Sequence, residues 1–164
     1  MRLDIRHYLI AFVMGLLGIA VYWAIFHVTY PLNQNVTQTS VNTTICVKNW
    51  TGTVRPPTSF TTPLKAKLCA AQKCGNMANY ELDHFVAIEI GGAPADPNNL
   101  VLQAYPEAHN KDAVENYLHK QICNKSITLK DAQAKIYNWK VIYQQISSKF
   151  GGVQSVDASN NEDD

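Results

Sequence analysis

Residues 80–99 read YELDHFVAIEIGGAPADPNN. Glu81 to Ile90, rich in Phe, Val and Ile, is expected to form a strand that carries the Asp83-His84 pair. Gly91-Gly92 and Pro94-Ala95-Asp96-Pro97 predict a broad turn. Asn99 then precedes a second short strand over Leu100-Val101-Leu102, and His109 follows near the start of a helix. From about Pro106 the pattern is helical, with Ala113, Tyr117, Leu118 and Ile122 on one stripe that Cys123 closes. Strand, turn, strand and helix therefore bring forward Asp83, His84, Asn99 and His109. Carboxylate and neutral imidazole suit a divalent cation, and an imidazole beside it can take a proton from water near neutral pH.

The rest of the chain frames this segment. Thr128-x-x-Asp131 is a capping-box variant, and Ile136, Trp139, Tyr143, Ile146 and Phe150 repeat at helical spacing before Gly151-Gly152. Upstream, Pro56-Pro57 argues against a helix, so much of residues 45–68 reads as an extended arm. Thr62-Pro63 fits the start of a short helix ending near Cys69. Residues 31–44 are polar and aperiodic and read as a flexible linker, which sets a domain over 45–150 and an acidic, disordered tail over 151–164.

From Tyr8 to Phe26 no Asp, Glu, Lys or Arg interrupts nineteen positions, and Arg2 and Arg6 precede the run. At about 1.5 Å per residue such a helix spans roughly 28 Å, close to a bilayer core. Residues 1–30 are therefore expected to form an uncleaved membrane anchor, with its N-terminus cytoplasmic and the domain in the periplasm or exterior. The alternative is a signal peptide cut within 30–45 and a secreted product. Cys46, Cys69, Cys74 and Cys123 read as two disulfides of an exported domain. The preferred pairing is Cys69–Cys74 with Cys46–Cys123, while zinc is the rival reading. From Cys46 to Phe150, twelve Lys and Arg stand against eight Asp and Glu, a net of +4. That balance suits weak, sequence-independent contact with a polyanion.

Residues 46–143 resemble the HNH nucleases of the ββα-metal (His-Me finger) group, especially small exported bacterial proteins. The matching pieces are Cys46 to Pro57, which resembles the extended arm of that subgroup, Glu81-x-Asp83-His84-x4-Glu89-x-Gly91-Gly92 with Asn99-Leu100, the helix from Ala108 to His119, and the closing helix from Thr128 to Tyr143. The resemblance implies an α+β fold, a ββα-metal hairpin with helices, behind the transmembrane helix. It also implies that His84 is the general base and that Asn99 orients it by pinning the loop. Asp83 and His109 would hold one divalent metal ion, most simply Mg²⁺, with Mn²⁺ or another transition metal as variants. The Pro that usually follows the Asp-His pair is replaced by Phe85.

Arg55 and Lys111 are candidate substrate-binding cations, facing phosphate. The expected function is a metal-dependent endonuclease, a hydrolase acting on DNA and potentially RNA with low sequence specificity. The alternative is a non-catalytic envelope protein that uses the HNH scaffold to bind nucleic acid or a protein partner. Each site residue also has a structural reading. His84 in an apolar run could be a core histidine and Asn99 a turn residue. His109, Asp112 and Glu115 suit the first turns of a helix, where acids complement the dipole. A flat strand would point Asp83 and His84 to opposite faces, so a bulge is expected there.

Overall fold

The computed structural model describes Met14 and residues 30–149. The expected membrane span, Met14 apart, and the acidic tail lie outside the described residues. Among these residues no helix is long and apolar enough to cross a membrane.

A two-stranded antiparallel hairpin sits among helices. In chain order these are α1 (Trp50–Val54), α2 (Thr58–Gln72), β1 (Tyr80–His84), β2 (Leu100–Ala104), α3 (Glu107–Cys123), α4 (Leu129–Lys135) and α5 (Trp139–Lys149). The fold is mixed α and β, as expected. β1 and β2 pair from Tyr80↔Ala104 to His84↔Leu100, and Asp83 lies opposite Val101.

The expected strand over 81–90 stops at His84. Beyond Phe85, whose N–H still reaches the Asn99 carbonyl, the main chain of Val86 is held by the Asn99 side chain instead of by a strand. Ile88–Ile90 form a 3₁₀ turn that buries Ile88 and Ile90. A buried turn of apolar residues carries the same sequence signal as a buried strand. Gly91 then takes φ +85°, a left-handed conformation suited to glycine. A Cβ on Gly92 would lie 1.7 Å from the Val86 carbonyl oxygen, so the loop closes too tightly for any side chain there.

The core lies between this loop, α3, α4 and α5. Val86, Ile90, Val114, Leu118, Ile122 and Ile136 are almost fully buried. Each aliphatic side chain so placed stabilises by about 1.5–3 kcal/mol relative to exposure. On α3 the buried positions are Ala108, Lys111, Val114, Glu115, Leu118 and Ile122, a single stripe at helical spacing.

Several expectations are corrected. Residues 31–44 are not a free linker, because Val36 and Val41 are in the core and the Gln38 side chain accepts from the Leu129 N–H. Leu32 bridges Gly92, and the Asn33 N–H donates to the Gly91 carbonyl. Residues 45–68 are largely helical. Pro56-Pro57 does break the chain, but between two helices: Arg55 ends α1 in extended backbone and Pro57 caps α2. Pro63 lies inside α2, which begins earlier than Thr62 and has no buried residue. The closing helix is divided by a 3₁₀ turn at Ile136–Asn138, while its capping box of Thr128 and Asp131 is present in full.

Both preferred disulfides are formed. Cys69–Cys74 clips the end of α2, and Cys46–Cys123 ties the N-terminal arm to the end of α3.

Candidate functional site

His84 closes β1 and is only 8 % exposed. Its Nε2 lies 2.8 Å from the Pro94 carbonyl oxygen. A carbonyl can only accept, so Nε2 carries the proton and Nδ1 carries the lone pair. Nδ1 has no hydrogen-bond partner among the described residues. No side-chain nitrogen there is both fully buried and unpartnered, so Nδ1 opens to solvent. Burial holds the imidazole below its ordinary pKa, the Pro94 bond and Asp83 oppose this, and Arg55 and Lys111 reinforce it. The ring is thus kept neutral near pH 7, with one nitrogen anchored and the other free to accept.

Asn99 makes the anchor. It is wholly buried at the end of the 3₁₀ turn Pro97–Asn99, which the Asp96 side chain caps. Its Oδ1 accepts from the Val86 N–H at 3.0 Å, and its Nδ2 donates to the carbonyls of Val86 at 2.9 Å and Ala93 at 3.0 Å. The Ala93 bond fixes the residue before Pro94, whose carbonyl holds His84. Asn99 therefore pins both ends of the loop, as expected, and acts on the imidazole only through backbone.

The pairing of β1 with β2 runs in register through Asp83 and His84, with no bulge. The two side chains of the Asp-His pair are consequently used on different sides. Asp83 and Glu81, two residues apart, share a strand face. There the Asp83 Oδ2 accepts from Lys111 Nζ at 2.7 Å. Lys111 also donates to the His84 carbonyl at 2.8 Å and to Glu115.

Lys111 is 1 % exposed, which corrects its assignment as a substrate contact. It lies on the inward stripe of α3 and has no donor left for phosphate. Burial alone would lower its pKa, but Glu115 and Asp83 outweigh burial and raise it, so it remains charged. Arg55 fits its expectation better. It is exposed at the end of α1 and near enough to His84 to depress its pKa.

The two residues of the expected metal pair, Asp83 and His109, have different partners: Asp83 is paired with Lys111. His109 is exposed, stacks on Tyr105 with ring centroids 5.0 Å apart, and places Nδ1 3.8 Å from Asp112 Oδ2. Its partner in the structure is Asp112, a residue whose sequence position suggested only helix-dipole stabilisation. Asp112 is half-buried, and its carboxyl is raised by burial and by Asp83. Glu81 is raised by burial, then by Asp112 and Asp83. Glu81, Asp83 and Asp112 thus form an acidic group bridging β1 and α3, with His109 at its margin. Lys111 offsets only part of this negative charge, and the mixed oxygen and nitrogen donors fit a divalent cation.

Among the described residues, the one group of three or more His, Cys or acidic donors within 4.8 Å is Cys46, His119 and Cys123. The disulfide already occupies both of its sulfurs. No protein-family model, curated protein or solved structure matches this chain.

Proposed function

We propose that the chain is a metal-dependent phosphodiesterase of the endonuclease type, acting on DNA with little sequence preference. The observation that carries this reading is the state of His84: a neutral imidazole, its Nε2–H fixed on the Pro94 carbonyl and its Nδ1 open to solvent. In this reading Nδ1 takes the proton of a water whose oxygen bonds to phosphorus as the bond from phosphorus to the leaving sugar oxygen breaks, and the departing oxygen takes its proton from solvent. The Pro94 carbonyl keeps the ring in the needed tautomer and stabilises the imidazolium that forms. Arg55, exposed at the end of α1 and within electrostatic reach of His84, would be the cation that meets a phosphate.

Asp83, Asp112 and His109 would hold one divalent cation, Mg²⁺ or Mn²⁺, with Glu81 contributing negative charge. Such an ion supplies charge stabilisation at phosphoryl oxygens. The net of +4 over residues 46–150 supports weak contact with a polyanion. The apolar run at 8–26 and the two disulfides support a membrane-anchored domain in the periplasm or exterior.

One observation favours a second reading, a non-catalytic envelope protein that binds nucleic acid or protein on the same scaffold. Asp83 is paired with Lys111, and its neighbouring donors are not gathered within 4.8 Å. Plasmid relaxation with and without EDTA separates the two. The parent should nick DNA only with metal, and His84→Ala should lower the rate by roughly 10²–10⁴-fold while keeping its circular dichroism. A folded His84→Ala variant that cuts like the parent refutes the catalytic reading.

A further inference from the structure

We propose that Lys111 is a positioning residue, a three-point clamp that sets the base and the acidic group together; this rests on the reading of His84 as the base. An ammonium has three donors and no acceptor. Lys111 Nζ directs one to Asp83 Oδ2 at 2.7 Å, one to the His84 carbonyl at 2.8 Å and one to Glu115. All are buried, and no donor is left to reach solvent or substrate.

Each contact has a different consequence. The bond to the His84 carbonyl fixes the last main-chain unit of β1, from which the imidazole projects. The bond to Asp83 fixes one carboxylate oxygen. The other has no hydrogen-bond partner among the described residues and opens to solvent, since no side-chain oxygen there is fully buried and unpartnered. Glu115, one turn along α3, supplies the counter-charge that lets a buried ammonium remain in place. Asn99 holds the loop side of His84 and Lys111 holds its helix side. A shift of about 1 Å at such a support can cost roughly 10²-fold in rate.

The test uses the full chain with Lys111→Met/Glu115→Leu. Lys111→Met alone leaves two buried carboxylates without their cation and is expected to destabilise the fold. The double variant removes one charge of each sign and keeps the triad's net charge at the value set by Asp83. Asp83 still loses its cation but keeps one oxygen open to solvent, and Glu115 no longer leaves a second buried carboxylate unpaired, so this variant is expected to fold and to be more stable than Lys111→Met.

Three readouts are taken: kcat and KM for plasmid relaxation, Mn²⁺ affinity by titration, and the His84 tautomer from ¹⁵N–¹H spectra of the ring. The proposal expects kcat to fall about 10²-fold with KM within about threefold. It also expects Mn²⁺ binding to persist and the pure Nε2–H tautomer of the parent to give way to a mixture.

A folded double variant with parental kcat and tautomer overturns the clamp, as does a rise in KM with kcat unchanged, which would mark Lys111 as a substrate contact. If the double variant does not fold, Lys111→Gln/Glu115→Gln, whose shorter side chain at 111 has two donors and cannot hold all three partners, is read in the same way: a fall in kcat with a mixed tautomer supports the clamp, and parental values overturn it. A parent that cuts no nucleic acid defeats the nuclease reading, while the tautomer readout still judges the clamp.

Discussion

Asn99→Asp is the substitution whose outcome the structure constrains most tightly. The new side chain has the same shape and keeps an oxygen for the Val86 N–H. In place of Nδ2 it sets an oxygen against the carbonyls of Val86 and Ala93, at 2.9 and 3.0 Å in the parent. Near pH 7 the introduced carboxylate cannot donate to either. Each buried acceptor left without its partner costs about 1–3 kcal/mol, so about 2–6 kcal/mol is lost in all. That is a large share of a typical domain stability of about 5–15 kcal/mol.

Protonation restores one O–H donor and so about half of the loss. The introduced carboxyl therefore has a folded pKa above its unfolded value of about 3.9. The penalty relative to the parent is smallest below the unfolded value, grows as pH rises towards the folded one, and is constant above it. Asn99→Ala loses all three bonds with no titrating group, so its penalty should not change with pH through this route. Urea unfolding followed by tryptophan fluorescence reports the core, since Trp50 and Trp139 pack there. Parent and variants are compared at about pH 7 and about pH 5. An Asn99→Asp penalty below about 0.5 kcal/mol near neutrality, or one identical at both pH values, would refute the knot as described.

The two disulfides should contribute unequally. Their sequence separations of 77 and 5 give about 4.5 and about 2 kcal/mol in the chain-entropy model, so Cys46→Ser/Cys123→Ser should lower the non-reducing urea midpoint more than Cys69→Ser/Cys74→Ser, and equal shifts would contradict this. Cleavage should be lost as pH falls through the His84 titration, which burial places below the ordinary value of about 6.5; a kcat/KM profile whose acid limb bends above about pH 7 excludes His84 as the base. Asp83→Asn and Asp112→Asn should each weaken Mn²⁺ binding more than His109→Ala does, because both carboxylates belong to the half-buried group while the imidazole is at its exposed edge; calorimetric titration in which only His109→Ala matters would restore the simpler ligand pair.

The turn of the hairpin and the Thr128 capping box were legible because turn and capping chemistry are local signals. The loop-pinning role of Asn99 was an expectation from the family resemblance, and the disulfide pairing was a preference among three connectivities, since a tie across 77 positions leaves no local signal. The inward face of α3 was not legible. Its buried stripe contains Lys111 and Glu115, two charged residues that break an apolar pattern although they sit at the core spacing. Only the approach of β1, which brings the Asp83 carboxylate and the His84 carbonyl to Nζ, makes that burial tolerable. Asp112 was hidden for a related reason: an acid in the first turns of a helix already has a sufficient local explanation. Residues 31–44 misled differently. Their few apolar positions, Val36 and Val41, show no period because they enter the core from irregular backbone.

The three histidines of the described domain provide an internal comparison for the central assignment. His119 donates from Nε2 to the Ile45 carbonyl at 2.8 Å and turns Nδ1 to the Glu89 carboxylate at 3.6 Å. One nitrogen is hydrogen-bonded and the other faces a carboxylate that pairs with it when the ring is protonated, which suits a structural histidine linking the arm to α3 next to a disulfide. His109 is at the other extreme, with its side chain 67 % exposed and held only by stacking on Tyr105 and by the approach of Asp112. His84 matches neither. It is as buried as a structural histidine yet engages one nitrogen only, and the other opens to solvent. A side chain needed only for packing gains nothing from a bare lone pair at such a position, where an apolar residue of similar size would avoid the desolvation that lowers its pKa. A base needs that combination of fixed tautomer, depressed pKa and open acceptor.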